Sequence, residues 1–279
     1  MRERILDGAS KYIKIFKGKA FVIKYGGSML ENKALSDSVL DDIVSFHNKG
    51  INAVIVHGGG ARINALMAQR GKSAVFVDGL RITDEETAGI VDEALSLVNN
   101  DLVRRVTERG ARARGLLSRD TGLISARKRR TAVAEDFLGD ISAVNTDIIK
   151  SVLDDGAIPI ISPVGIGSDK KLYNINADIA ASEIASAMQS EKLILLTNVK
   201  GVMMDKDDDK SLISHIDEAH ALELIGKGVI SSGMIPKVKA GIKALDSGVK
   251  KVHIINGTIP HSLLLEVFTD DGIGTEIIK

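Results

Sequence analysis

Three stretches of the chain set groups able to hold a phosphate or a carboxylate at the ends of apolar runs. The first, residues 19 to 29, is a β-branched and aromatic run that reaches Lys24 and opens onto Gly26 and Gly27. Paired glycines let backbone N–H groups approach an anion with no Cβ in the way, and a lysine at the strand end adds a full positive charge. The second, Ile51 through Val56, runs into His57, Gly58, Gly59 and Gly60. The third is Tyr173-Asn174-Ile175-Asn176-Ala177-Asp178, whose three polar side chains point one way if the stretch is extended. Helix capping accounts for one or two of those three groups, not for all.

Two cations stand apart from these stretches. Arg81 precedes a helix start, where it reads either as a partner in a surface ion pair or as a bidentate clamp for a carboxylate. Lys237 falls in the first turn of a helix opened by Gly233 and Pro236. A positive charge there opposes the helix dipole, at a cost of about a few tenths of a kcal/mol, unless an anion sits nearby.

Other phosphate and nucleophile motifs fail on spacing. His57-Gly58-Gly59-Gly60 could be an esterase oxyanion loop, but no serine has glycine two residues before and two after it. A dinucleotide fingerprint fails at Ile63, and a P-loop ending in Gly71-Lys72-Ser73 would need glycine at Leu66. For His57 itself, a structural place at a strand end is the preferred reading. The acidic loop at 205–210 lacks calcium-loop spacing and reads as solvated.

The elements that must position these groups follow from periodicity. Apolar residues at helical spacing mark helices over 2–17, 35–47 and 61–70, and a further helix runs from a capping box of Thr83 with Glu86 to about residue 109. The order strand, helix, strand at the beginning implies a parallel pair, so the two glycine turns lie at one crevice edge of an open α/β sheet. Residues 111 to 145 read as short hairpins at 114–117, 122–126, 131–134 and 140–144, with Arg127 to Arg130 as a solvated tip. Beyond a helix at 147–154, strands are expected at 157–161, 192–197, 251–255 and 275–278. Helices follow Asp178 and run over 218–225, from 233 and over 261–267. The N-terminal helix has an apolar stripe that either folds back on its own domain or docks on a partner subunit.

Composition narrows the classes. The 279 residues carry 37 basic and 37 acidic side chains, so no net field recruits nucleic acid or an anionic membrane, and phosphate recognition must be local. Cysteine is absent, which excludes disulfides and thiolate metal sites. Three tyrosines, six phenylalanines and no tryptophan leave little aromatic surface for stacking bases. No run approaches the roughly 18 apolar residues of a membrane span, and the N-terminus lacks a signal-peptide core, so a cytoplasmic protein is expected.

Six motifs in this order resemble the amino-acid kinase family over nearly the whole chain: Lys24-Tyr25-Gly26-Gly27, Val56 through Gly60, Asp78 through Asp84, Tyr173 through Asp178, Gly233 through Lys237, and the ending from His261 to Thr275. Within the family the likeness is to the branch serving arginine synthesis. It implies a three-layer αβα sandwich with a large, mainly parallel sheet. Residues 1–18 would be a helix for oligomerisation, 19–170 a lobe holding N-acetyl-L-glutamate and the dimer contact, and 171–279 a lobe holding ATP with Mg2+ on its phosphates. The implied reaction moves the γ-phosphoryl group of ATP to the acceptor's γ-carboxylate.

By matching positions, Lys24 and Lys237 would flank the phosphoryl group and Asp178 would hold both ammonium groups. Gly59, Gly60, Arg81, Asn174 and Asn176 would bind the acceptor, with Arg81 on its α-carboxylate. Gly26, Gly27, Thr197, Asn198, Gly201, Gly233 and Met234 would bind the nucleotide. Family members with the added N-terminal helix imply a hexamer, a trimer of dimers, inhibited by L-arginine near Tyr12, Glu266 and Gly274. The chain departs from the family at Leu117 and Ser118, and its loop near Phe137 is shortened. Rival readings are a kinase for acetyl- or carrier-linked aminoadipate, and a non-catalytic arginine or nucleotide sensor on the same fold.

Overall fold

The computed structural model describes residues 2–26, 28–77, 80–129, 136–205, 207–208, 210–231 and 233–279. Gly27, Asp78, Gly79, Arg130, Ser232 and the strand expected at 131–134 lie outside the described residues.

Two short helices, α1 (Arg2–Gly8) and α2 (Ser10–Phe16), precede the first strand, β1 (Ala20–Tyr25). Helices α3 (Ser28–Glu31) and α4 (Lys33–Asn48) lead to β2 (Asn52–His57), and α5 (Gly60–Gln69) leads to a hairpin of β3 (Phe76–Val77) and β4 (Leu80–Arg81). The long α6 (Glu85–Thr107) reaches β5 (Ala113–Leu116), then α7 (Ser118–Thr121), β6 (Ile124–Lys128) and β7 (Gly139–Val144). After α8 (Thr146–Asp154) come β8 (Ile158–Ile161), β9 (Val164–Gly167), β10 (Leu172–Asn174), α9 (Ala177–Ala187) and β11 (Lys192–Thr197). The chain closes with β12 (His215–Ile216), α10 (Glu218–Gly226), α11 (Met234–Asp246), β13 (Lys251–Asn256), α12 (Ser262–Phe268) and β14 (Thr275–Ile277).

Among the described residues, eight strands form one sheet in the order β12-β14-β13-β11-β1-β2-β8-β5, parallel from β13 to β5, with β14 antiparallel to β13. Alternate residues of the central strands feed two cores. Val22, Val54, Val56, Leu193 and Leu195 meet α8 to α11 on one face, whereas Phe21, Ile23, Ile55, Ile194 and Leu196 meet α4, α12 and the end of α6 on the other. Helices on both faces make the three-layer αβα sandwich, and explain why these strands are apolar throughout rather than alternating. A second sheet, β10-β9-β6-β7, stands beside the first, and the β3–β4 hairpin forms a third.

Four details depart from the sequence reading. The N-terminal helix breaks around the fully buried Ala9, where Gly8 weakens the helix. Its stripe folds back on its own chain: Phe16 meets the ring of Phe21 edge-on at 5.2 Å, and Tyr12 lies 6.3 Å from Phe268. Residues 113–116 form no hairpin; they add a parallel edge strand beside β8, seated by Gly115 against Asn99 and Val103 of α6. The cap of α6 is Asp84, whose Oδ1 accepts from Thr87 N–H at 2.7 Å, because Thr83 is engaged elsewhere. Finally, Asp178 lies in the first turn of α9 rather than on an extended run with Asn174 and Asn176.

Candidate active site

Lys24 lies one residue from the C-terminal end of β1, in register with Val56 of β2 and Leu195 of β11. The alternation that places Val22 toward α9 places Lys24 there too, because side chains two apart share a sheet face. Asp178 meets it from α9, whose N-terminus is capped by Asn176: its Oδ1 accepts from Asp178 N–H at 2.9 Å and Ile179 N–H at 3.2 Å. Lys237, in the first turn of α11, closes the group.

Lys237 Nζ donates to Asp178 Oδ2 at 2.6 Å, and Lys24 Nζ lies 3.2 Å from Asp178 Oδ1. The carboxylate is 5 % exposed and Lys24 9 %, so three charged groups share a nearly dry site. Burial pushes the Asp178 carboxyl up, yet the fields of Lys24 and Lys237 and the bonds they make outweigh it, and its pKa is lowered. The anion that offsets Lys237 at its helix start is therefore Asp178. With two ammonium groups against one carboxylate, the cluster keeps a surplus positive charge and is suited to an additional anion.

The glycine turns meet where expected. Gly58 N–H donates to Tyr25 O at 2.7 Å, joining the two loops at the C-terminal edge of adjacent strands. A Cβ on Gly26 would stand 3.3 Å from Lys24 Nζ, and one on Gly59 would press into Leu95 at 2.6 Å. Gly59 thus lets α5 start close against α6, and Gly60 opens α5. His57 is fully buried, which pushes its pKa down to about 4. Its Nε2 accepts from Asn99 Nδ2 at 3.0 Å and its Nδ1 donates to Gly58 O at 2.9 Å, so the neutral ring is a brace for the glycine turn.

On the β4 side Arg81 is buried, not a surface ion pair. Its Nη2 donates to Asn64 Oδ1 at 2.6 Å, its Nη1 reaches Met67 Sδ at 3.1 Å, and the guanidinium lies 4.7 Å from the Phe76 ring centre. Burial lowers its pKa, and no carboxylate pairs with it among the described residues. Asn174 Nδ2 donates to Thr83 Oγ1 at 3.2 Å, and Thr83 Oγ1 donates to Arg81 O at 2.8 Å, so Arg81, Thr83 and Asn174 form one polar wall. Asn64 escaped the sequence reading as a site residue, and Thr83 entered it only as a helix cap and motif member. Asn64 stands one turn after Gly60, which is a signal that a helix-face argument could have used.

A cavity of about 430 Å³ opens on the other side of the lysines, lined by Thr197, Asn198, Gly201, Met203, Gly233, Met234 and Lys237 among others. Gly26 lies apart from that cavity, at the lysine end. Gly201 also has a packing duty, since a Cβ there would meet Thr275 Oγ1 at 2.5 Å. No group of three His, Asp or Glu side chains poised for a metal occurs among the described residues. Tyr12, Glu266 and Gly274 line a separate cavity of about 240 Å³, together with Lys192, His253 and Asp270.

A family model described as the amino acid kinase family matches residues 19–256. The chain belongs to the amino acid kinase family. It is 45 % identical over 284 residues to an acetylglutamate kinase from Moorella thermoacetica, covering 98 % of this chain and 96 % of that one. Among solved structures, an N-acetylglutamate synthase from Neisseria gonorrhoeae complexed with coenzyme A and N-acetyl-glutamate superposes with a TM-score of 0.87 at 27 % identity, over 99 % of this chain and 63 % of that longer one. The same synthase complexed with coenzyme A and L-arginine gives 0.82 at 26 % identity, over 99 % of this chain and 65 % of that one. Lys237 joins the Lys24–Asp178 pair to the 430 Å³ cavity, which it lines.

Proposed function

We propose that the chain is an acetylglutamate kinase: it transfers the γ-phosphoryl group of ATP to the γ-carboxylate of N-acetyl-L-glutamate, giving N-acetyl-L-glutamyl 5-phosphate in arginine biosynthesis. The observation that carries this reading is the Lys24–Asp178–Lys237 cluster, whose Lys237 lines a cavity of nucleotide size. The identity to kinases of that name over nearly the full chain supports the acceptor.

A carboxylate is already ionised near neutral pH, so the attacking oxygen needs no general base. The difficulty is bringing one anion onto a polyanion, and the site meets it with charge and N–H donors. Lys24, from the strand that also leads to Gly26 and Gly27, and Lys237, from the nucleotide side, neutralise the transferring group. Asp178 keeps both ammonium groups aimed and apart. Arg81 takes the α-carboxylate of the acceptor, and Asn174 and Asn176 fix the acetylamino end, while Gly59 and Gly60 offer backbone N–H donors. The nucleotide occupies the cavity at Thr197, Asn198, Gly201, Gly233 and Met234. Mg2+ fits as an ion held by the ATP phosphates, where it would spread charge off the transferring group, since the described residues supply no carboxylate cage.

The same reading extends to the two lobes, 19–170 for the acceptor and 171–279 for ATP, in a cytoplasmic enzyme. It also extends to a hexamer built through residues 1–18 and to L-arginine as an inhibitor in the cavity of Tyr12, Glu266 and Gly274. The synthase complexed with arginine supports the last point by likeness of fold. The test is acyl phosphate formation, trapped as a hydroxamate, with N-acetylglutamate against glutamate, aspartate and acetylaminoadipate. Turnover on N-acetylglutamate at least tenfold above the others is expected; equal or better turnover on acetylaminoadipate overturns the assignment.

A further inference from the structure

The Arg81–Thr83–Asn174 wall depends on a residue that lines no cavity described above and has no counterpart in the chemistry. Asp136 is fully buried. Its Oδ1 accepts from Thr83 N–H and from Leu138 N–H, each at 3.2 Å, while its Oδ2 has no hydrogen-bond partner among the described residues. The adjoining backbone repeats the tie: Phe137 N–H donates to Thr83 O at 2.6 Å, and Asn174 N–H donates to Phe137 O at 2.9 Å. Residues 136–138 therefore lie between Thr83, in the loop just after Arg81, and the strand that carries Asn174, bonded to both.

We infer that Asp136 is a positioning residue for the acceptor: by holding Thr83 it sets the spacing between Arg81 and Asn174, and so the length and orientation of the amino-acid ligand the pocket takes. The inference rests on the reading that Arg81 and Asn174 bind the acceptor. A buried carboxylate with an oxygen left unpaired is costly, and the two N–H bonds accepted by Oδ1 are what the fold gains from it. The tie is also asymmetric with respect to the crevice. Among the described residues the hydrogen bonds of Asp136 go to Thr83, beyond β4, and to Leu138, and Phe137 carries the tie on to Asn174 of β10; none goes to α11 or β11, which line the nucleotide cavity.

That asymmetry makes the inference testable by separating the two substrates. Steady-state kinetics with N-acetylglutamate and ATP varied independently are measured for Asp136→Ala and Asp136→Asn. The alanine variant loses the acceptor for both N–H groups and is expected to raise KM for the acceptor at least tenfold while KM for ATP stays within twofold. The asparagine variant keeps a carbonyl oxygen in the place of Oδ1 and is expected to recover the acceptor KM to within about threefold. An unchanged acceptor KM in the alanine variant overturns the inference, as does a parallel rise in both KM values. Should Asp136→Ala be insoluble, Thr83→Val reads the same wall by removing the hydroxyl between Arg81 O and Asn174 Nδ2; it too must raise the acceptor KM selectively, and an unchanged value counts against the proposal. Arg81→Ala serves as the control. If it leaves the acceptor KM unaltered, the acceptor pocket itself has been misread; if it raises that KM and Asp136→Ala does not, only the role of Asp136 fails.

Discussion

Replacing Asp178 with asparagine removes one charge from the centre of the cluster and changes almost no volume. At an effective dielectric near 20, a pair at 3.2 Å is worth roughly 5 kcal/mol and one at 2.6 Å roughly 6 kcal/mol before desolvation. Burying the three groups consumes much of that, and breaking a buried pair leaves a net loss of about 3–5 kcal/mol. For a chain of this size the corresponding fall in Tm is about 10 °C. The two lysines left behind face each other with no carboxylate between them, so a polyanion should relieve the strain. A non-hydrolysable ATP analogue is accordingly expected to raise the Tm of Asp178→Asn by more than it raises that of the parent chain. Turnover should drop by about a hundredfold or more, because the ammonium groups are no longer aimed at the transferring phosphoryl. The assays are differential scanning fluorimetry with and without the analogue, and acyl phosphate formation. A variant within 1 °C in Tm and within fivefold in kcat, figures about the size of ordinary surface substitutions, would refute the reasoning.

Four further outcomes are expected. Because the folded-state pKa of Asp178 is lowered, its stabilising contribution is complete above its ordinary value of 3.8 and is lost as pH falls through the folded value, so the stability gap between the parent and Asp178→Asn should close in acid urea melts. Lys192 behaves in the opposite sense: burial pushes its pKa down to about 8 from 10.5, so between those values the unfolded chain binds more protons and stability rises with pH; Lys192→Met should abolish that rise. Gly59→Ala drives a methyl into Leu95 and should destabilise by about 1–3 kcal/mol, with part of the loss recovered in the double variant with Leu95→Ala. Deleting residues 1–16 is expected to give dimers that ignore arginine in size-exclusion and inhibition assays; persistence of hexamers would refute the assembly role assigned to that segment.

Local chemistry made much of this protein legible. The runs at Phe21, Val54 and Leu193 are apolar on every residue because helices cover both faces of their sheet, and the glycine turns after Tyr25 and His57 mark its C-terminal edge. The caps were less legible. Thr83 looked like a helix cap because Glu86 follows at capping-box spacing, but its hydroxyl and N–H are held by Arg81 O and Asp136, and Asp84 took the cap. Residues 114–117 looked like half of a hairpin, since a four-residue run carries no mark of which strand it will pair with; α6 returns the strand, at 113–116, parallel to β8.

The sequence by itself determined the strand interiors, the two glycine turns, and the residue types from which an anion site can be made, because each follows from a period or a backbone freedom within a few neighbours. Only the tertiary structure decided that Lys237, 59 residues beyond Asp178, satisfies the carboxylate on one side while Lys24 satisfies it on the other. It likewise decided that Arg81 is buried on Asn64 and Phe76, and that Asp136, 53 residues on from Thr83, holds the Thr83 N–H. Such pairings depend on which helix packs on which strand end, and no spacing along the chain encodes that choice.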